Sequence, residues 1–517
     1  MPDPLIADLA LLKRVKPARL SPRQMDDLAW LRSHVPASAL WHQVGVGKTH
    51  PAAYRVLEIV RSSVLDGPTI RSIRNDGRRR ALVLMRRSLF GQWKEKILSL
   101  ILGYVQENPE WRDVSVGVLQ SGKNPEAVWG RGYDNVPDIV LTNYDYVPSV
   151  LKEVKGGGVE GWLAGLIPSV AVIVADEAQK LKGFRGFRSN KGIRARILNR
   201  VAPLVPLRIG LSGSPALNPE SSDVWGIYHF LDPVIFGPTR WQFVKEFFFD
   251  VSKDPKYEQL ILKPGMAPEM SRRIYMIARR ITKKDCPKGE FPEPRRIRYD
   301  VELPPAVRKV YKDLESTGIA NPDGGQITRL MLLSRLMALQ QIASGFVREG
   351  EQDVLLDNSH KMEQLADILE EIGDAPSVVW CHFRFDCEAV LRWLKANGYK
   401  AVIAYGGMPK REFEANVEAF KSGAADVIVG QPAAVGIGMD FQRAQHAVRY
   451  SRSYVPEDFE QSDGRINRAF SEFDETIHHE IVCAQTRDVL IYESLIDKID
   501  LSSTLLLDDL LPMERNV

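Results

Sequence analysis

Short apolar, β-branched runs recur in two groups along this 517-residue chain, and they constrain its fold more than any other feature. The first group is ALWH (39–42), ALVLM (81–85), DIVLTNY (138–144), VAVIVAD (170–176) and RIGLS (208–212). The second is SVVWC (377–381), KAVIA (400–404), DVIVG (426–430), HAVRYS (446–451) and HHEIVCA (478–484). Runs like these suit strands buried on both faces, and the amphipathic or loop stretches between them suit crossover helices, which makes the sheets parallel. One such helix, DCEAVLRWLKANG (386–398), closes on a glycine, as helix ends often do. The expected fold class is α/β: two lobes with parallel sheets, joined by a linker and carrying helical insertions.

Between the groups the grain changes. Residues 241–285 show helical spacing, aromatics and paired basic residues, the proline-rich CPKGEFPEP (286–294) reads as a hinge, and 305–345 are again helical. The expected boundaries are lobe 1 over 1–240, a helical protrusion and linker over 241–300, a helical insertion over 301–376, and lobe 2 over 377–517.

Composition excludes more than it suggests. Basic residues (69) almost balance acidic ones (66), so the net charge of +3 gives no overall pull toward a polyanion and local clusters must carry that argument. Cys286, Cys381, Cys387 and Cys483 form no CxxC pair and no zinc-ligand spacing. The opening MPDPLIADLALLKRV lacks a basic segment followed by a long apolar stretch, and no segment stays apolar for the ~18 residues of a membrane span. A cytoplasmic chain with no membrane partner is expected.

Three motifs carry chemistry. VGVGKT (44–49) lies between a strand and a probable helix, where Gly45 and Gly47 let backbone amides wrap phosphate oxygens. Lys48 would neutralise the β- and γ-phosphates, and the Thr49 hydroxyl would ligate magnesium. His42 stands where the Walker pattern asks for a glycine. VIVADEAQK (172–180) ends an apolar strand in two carboxylates, a costly arrangement unless they act: Asp176 on magnesium, Glu177 on the attacking water. QSDGRINRA (461–469) offers Arg465 and Arg468, three apart and so presentable on one helix face, to stabilise phosphoryl charge. Alone, each has a bland counterpart: an accidental loop, an acidic helix start, a solvated face. Together and in this order, they indicate ATP and Mg2+ as the ligands.

The three motifs on two α/β stretches resemble helicase superfamily two, and more closely its Swi/Snf-type ATPases, over roughly residues 18 to 500. The resemblance implies two RecA-like lobes and a P-loop. LSPRQMDDLAWL (20–31) resembles the family's opening element, in which Gln24 would read adenine. MRRSLFGQWKEKI (85–97) and LTNYDYV (141–147) resemble elements at strand ends that would place Ser88, Gln92 and Thr142 at nucleic acid. LSGSPALN (211–218) is similar to the coupling motif, with Ser212 and Ser214 in place of threonines; Gln179 and Gln461 join them as coupling residues. DVWGIYHFLDPVIFG (223–237) is the most specific pointer to the Swi/Snf type, and ARRITKKD (278–285) and NSHKMEQLADILEEI (358–372) resemble its linker and its lead into lobe 2. PAAVGIGMDFQRA (432–444) would bring Gly438 to the nucleotide. Pro432, Asp440 and Asn467 depart from the family's threonine, asparagine and histidine.

Basic clusters at 71–80, at Arg86 and Arg87, at 180–196 and at Arg279, Arg280, Lys283 and Lys284 are candidates for sequence-independent affinity, with Arg185, Arg188 and Lys191 favoured, near Phe184 and Phe187. The function so implied is an ATP-dependent translocase of duplex DNA, with a monomer as the working expectation. The alternatives are a strand-separating or branch-migrating DNA helicase, and a nucleotide-gated DNA-binding switch with little turnover.

Overall fold

The run Val170–Asp176 is buried at every position, as a β-branched segment covered on both sheet faces must be. In the computed structural model, which describes residues 3–61, 79–122, 124–130, 133–154, 158–184, 192–213, 223–251, 260–317, 329–349, 352–435, 440–469 and 471–505, this run is a central strand of a seven-stranded sheet. The strands are β1 (Ala37–Leu40), β2 (Arg80–Met85), β3 (Val116–Leu119), β4 (Ile139–Asn143), β5 (Val170–Asp176), β6 (Leu207–Leu211) and β7 (Ala278–Arg279). Their order is β7-β1-β6-β5-β2-β4-β3, and every neighbouring pair is parallel. The chain divides into two compact units, the first made mainly of Met1–Asp285 and the second running Cys286–Asp500.

Three helices position the first unit's chemistry. Helix α1 (Pro22–Ser33) starts on a capping box: Ser21 accepts from the Gln24 amide nitrogen, the Gln24 side chain accepts from Ser21 N, and Pro22 fills the first turn. Helix α2 (Thr49–Arg61) is buried almost all round, from Thr49 through Val60, so it lies inside the unit rather than on its face. Helix α3 (Asp223–Leu231) carries the FLDPVIFG lead. Its Tyr228 hydroxyl accepts from Trp41 Nε1 at 3.0 Å and donates to Ile274 O at 2.7 Å, tying α3 to the end of β1. Phe184, read as part of a nucleic-acid loop, is instead buried and stacks on Trp225 with ring centroids 5.0 Å apart.

The second unit holds β8 (Glu293–Val301), β9 (Ser377–Trp380), β10 (Ala401–Ala404), β11 (Val427–Gly430), β12 (His446–Arg449) and β13 (Glu475–Cys483), in the order β8-β13-β12-β9-β11-β10 and all parallel. Strand β8 was expected in the linker. It is an edge strand with mostly exposed side chains, so EPRRIRYDV lacks the apolar signature of its neighbours. The stretch 305–345 does form helices, Pro305–Thr317 and Arg329–Ala343. Helices α4 (Pro456–Ile466) and α5 (Arg487–Leu505) complete the elements used below.

A buried ionic network anchors α4. Glu480 on β13, wholly shielded from solvent, receives Arg296 Nη1 at 3.0 Å, Arg449 Nε at 3.3 Å and Arg452 Nη2 at 3.3 Å. Arg452 Nη1 reaches Asp488 at 2.7 Å, with Lys361 Nζ 3.5 Å from the same carboxylate. Asp463 on α4 binds Arg296 and, at 2.8 Å, Arg449. Burial alone would raise the Asp463 pKa, but Arg296, His478 and Arg449 hold it below the usual carboxylate range. Phe459 is sandwiched, with the Arg296 and Arg449 guanidinium carbons 4.7 and 4.2 Å from its ring centroid.

Asp386 behaves oppositely. Burial pushes its pKa up to about 6, even though Ser451 donates to it at 2.6 Å. A carboxyl raised on folding favours the folded state below its unfolded pKa, and that contribution disappears as pH rises to about 6. Asp386→Asn should therefore gain stability relative to the parent between pH 4 and 6, as urea midpoints at each pH will show. A constant difference across that range refutes this. Among the described residues all four cysteines are free and buried, no cluster of metal-ligating side chains forms, and no helix is long and apolar enough to cross a membrane.

Candidate active site

The loop 41–48 connects β1 to α2 and turns on two glycines, Gly45 (φ 99°) and Gly47 (φ 103°), in a region that L side chains rarely adopt. A Cβ on Gly47 would also come within 2.9 Å of Gln24 Nε2. The Gln24 amide braces the loop: Nε2 donates to Gly47 O at 3.3 Å, while Oε1 serves the α1 cap. Arg23 adds a bond from Nη2 to Val46 O at 3.3 Å. Lys48 is half-buried at the loop's end, and Thr49 opens α2. His42 is fully buried with Nε2 3.0 Å from Asp27 Oδ1; burial lowers its pKa against the pull of Asp27.

Asp176 ends β5 within reach of that loop's charge. Burial first, and then Glu177, push its pKa up, while the Lys48 ammonium pulls it down. Its carboxylate is fixed at both oxygens: Trp93 Nε1 donates to Oδ2 at 2.8 Å and Glu177 N to Oδ1 at 3.1 Å. The Tyr144 hydroxyl donates to the Asp176 carbonyl at 2.9 Å. Trp93 and Tyr144 were not singled out from sequence, although both sit inside quoted motifs, QWKEKI and LTNYDYV. Glu177 has a left-handed backbone (φ 59°), which is strained for a residue with a Cβ and redirects the chain out of the strand.

A side-chain path leaves Glu177. Gln179 Nε2 donates to the Glu177 carboxylate, and the Ser212 hydroxyl at the end of β6 donates to Gln179 Oε1 at 2.7 Å. Both Gln179 and Ser212 are buried. Sequence-expected coupling residues are thus joined directly to the acidic pair. Ser214, Gly438, Arg185, Arg188 and Lys191 lie outside the described residues.

In the second unit α4 ends at Ile466 with Asn467 as its cap, so Arg468 stands beyond the helix. The expectation that one helix face presents both arginines is corrected: Arg465 lies in the last turn and is buried, whereas Arg468 follows the cap, with Nε 4.0 Å from Asp440 Oδ1. Asn467 earns its place differently, donating through Nδ2 to Pro292 O at 2.8 Å. Gln461 is buried on the same helix.

Of the expected nucleic-acid contacts, Ser88 is exposed beside Arg87, and Gln92 is half-buried. Thr142 is turned inward: it is fully buried and donates to Leu119 O at 2.9 Å, leaving no hydroxyl at the surface. The basic cluster at 279–284 is also corrected in part, because Arg280 is buried and Arg279 pairs with Asp27 at 3.2 Å. Most of 71–80 lies outside the described residues, and Arg80 is buried in β2.

Comparison with known proteins gives three kinds of match. The family model Helicase conserved C-terminal domain matches residues 360–470. The Homo sapiens protein named Probable ATP-dependent RNA helicase DDX23 is 32% identical over 120 residues, which is 23% of this chain and 14% of that protein. Putative ATP-dependent helicase/translocase YwqA of Bacillus subtilis (strain 168) is 22% identical over 442 residues, 84% of this chain and 42% of its own length. The chain thus spans less than half the length of these curated relatives. A solved structure of the Sulfolobus solfataricus SWI2/SNF2 ATPase core in complex with dsDNA is 20% identical, covers 95% of this chain and 93% of its own, and has a TM-score of 0.38. The chain is thus similar to the helicase C-terminal domain over residues 360–470 of its second unit, and VGVGKT, DEAQ and FLDPVIFG stand in that order along the first unit.

Proposed function

We propose that this chain couples ATP hydrolysis to movement along duplex DNA. The observation that carries the reading is the buried path from Glu177 through Gln179 to Ser212, which links the acidic pair to the LSGSP element. Such a path lets a change at one end be felt at the other. The loop amides and Lys48 bind and orient the phosphates, Gln24 reads the base, and Glu177 accepts a proton from the attacking water. Thr49 and Asp176 suit magnesium, since both offer hard oxygen donors and the Asp176 carboxylate is buried beside Glu177. The ion, when bound, supplies positive charge opposite the phosphates. Arg465 and Arg468 serve charge stabilisation during phosphoryl transfer. Ser88, Arg87 and Gln92 face the nucleic acid.

Turnover measured without nucleic acid and with single-stranded DNA, duplex DNA or RNA tests this reading. Duplex DNA should stimulate most, and Glu177→Gln should lose roughly 10²–10⁴-fold at every condition. Stimulation mainly by RNA, or by nothing, rules the reading out. Displacement of a triplex-forming strand without unwinding of a fork then separates tracking from strand separation. Arg468→Ala should keep nucleotide affinity and lose roughly 10³-fold in turnover, the scale of an arginine acting on transferred phosphoryl charge; unchanged turnover removes it from the chemistry.

A further inference from the structure

The last segment of the first unit runs alongside the phosphate loop. Pairing of β7 with β1 continues past the strand ends: Ala39 N donates to Ile277 O at 2.7 Å, Trp41 N to Arg279 O at 2.9 Å and Gln43 N to Ile281 O at 2.9 Å. Gln43 Oε1 then accepts from Lys283 N at 2.9 Å. Residues 277–283 are therefore zipped to the chain from β1 into the loop itself.

Two adjacent arginines fasten this seam from opposite sides. Arg280, buried, donates from Nη1 to Trp41 O at 2.5 Å and to Gly213 O at 2.7 Å, so one guanidinium bridges the root of the phosphate loop and the LSGSP element. Arg279 Nε lies 3.2 Å from Asp27 Oδ1, and the same oxygen lies 3.0 Å from His42 Nε2. Asp27 is buried on α1, and His42 is the residue that departs from the Walker glycine. A buried carboxylate is stable only when its charge is answered. Arg279 answers it, and the His42 imidazole is seated against the same oxygen.

We propose that Arg279 and Arg280 are positioning residues of the phosphate loop, Arg279 acting through Asp27 and His42, and Arg280 through the carbonyls of Trp41 and Gly213. The proposal rests on reading loop 41–48 as the ATP site. Neither arginine touches nucleotide; each sets where the loop's first half lies. Lysine retains the charge of either residue and loses the rigid guanidinium plane that holds Arg280 Nη1 between two carbonyls and Arg279 Nε at Asp27.

The test uses the full chain with ATP titrated at saturating duplex DNA, beside equilibrium binding of a fluorescent ATP analogue. Arg280→Lys, Arg279→Lys and Asp27→Asn should each raise KM for ATP and Kd for the analogue about tenfold, the scale of a modest misplacement of binding groups. The Asp27→Asn, Arg279→Lys double variant should be no worse than the poorer single. A merely structural role lowers the active fraction, and so kcat, and leaves KM in place; that result overturns the proposal. Should Arg280→Lys not accumulate as folded protein, the half-buried Arg279 carries the same readout. Lys48→Ala separates the two levels. If it hydrolyses ATP normally, the reading of the loop falls; if it is inactive while the arginine variants keep their KM, only the positioning proposal falls.

Discussion

Lys48→Ala should lose roughly 10²–10³-fold or more in ATP turnover, the scale set by removing one preorganised charge from a reacting centre. The path of the loop that carries Lys48 is held by Gly45, Gly47 and the Gln24 brace rather than by the lysine itself. The fold should survive, with an unchanged far-ultraviolet circular dichroism spectrum. The loss should be electrostatic instead. Lys48 opposes the upward pull of burial and Glu177 on the Asp176 carboxyl, so its removal leaves the acidic pair less compensated as well as the phosphates. Turnover near that of the parent would refute the phosphate role.

The second large effect concerns stability. Glu480→Gln keeps shape and volume, yet strips a carboxylate, itself closed to water, that Arg296, Arg449 and Arg452 share. Breaking such a pair leaves uncompensated buried charge, a cost of about 3–5 kcal/mol. Because two units need not unfold together, the measurement is hydrogen exchange resolved along β12, β13 and α4. Protection there should collapse while β5 in the first unit keeps its own. Glu475→Gln is the control: on the same strand but exposed, with Arg295 at 3.8 Å, it should change little. Equal effects of the two substitutions would show that the network contributes no more than a surface pair.

How far the chain could be read in advance depended on burial. Strands covered on both faces wrote themselves as apolar runs, so β2, β5, β9 and β11 were legible, as were the glycine loop and the carboxylates that follow β5. Strand β8 was not, because an exposed edge tolerates charge and EPRRIRYDV looks like a linker. Charge itself misled at Arg279 and Arg280, where paired basic residues suggested a surface and the structure holds them inward on Asp27 and on backbone carbonyls. Thr142 failed for the same reason: composition names a hydroxyl but not the side of the sheet on which it lies. The spacing of Arg465 and Arg468 assumed a helix that Asn467 ends one residue too early. Contacts made by distant residues, such as Trp93 on Asp176, have no local signature at all.

The pairing of β8 with β13 has a consequence for biogenesis. From Glu293 opposite Glu475 to Val301 opposite Cys483, the earliest strand of the second unit finds its neighbour only in the latest. Among the described residues it lies at the edge of that sheet, beside β13 alone. During synthesis, β8 must emerge from the ribosome and wait, unpaired, until nearly all of the chain has followed. The Met1–Asp285 part of the first unit is made before β8 and is free to fold meanwhile. Arg296 waits with β8, since Glu480 and Asp463 are both made late. The second unit is therefore a late-closing, long-range fold, and chains cut short before Cys483 should leave β8 without the full length of its neighbour.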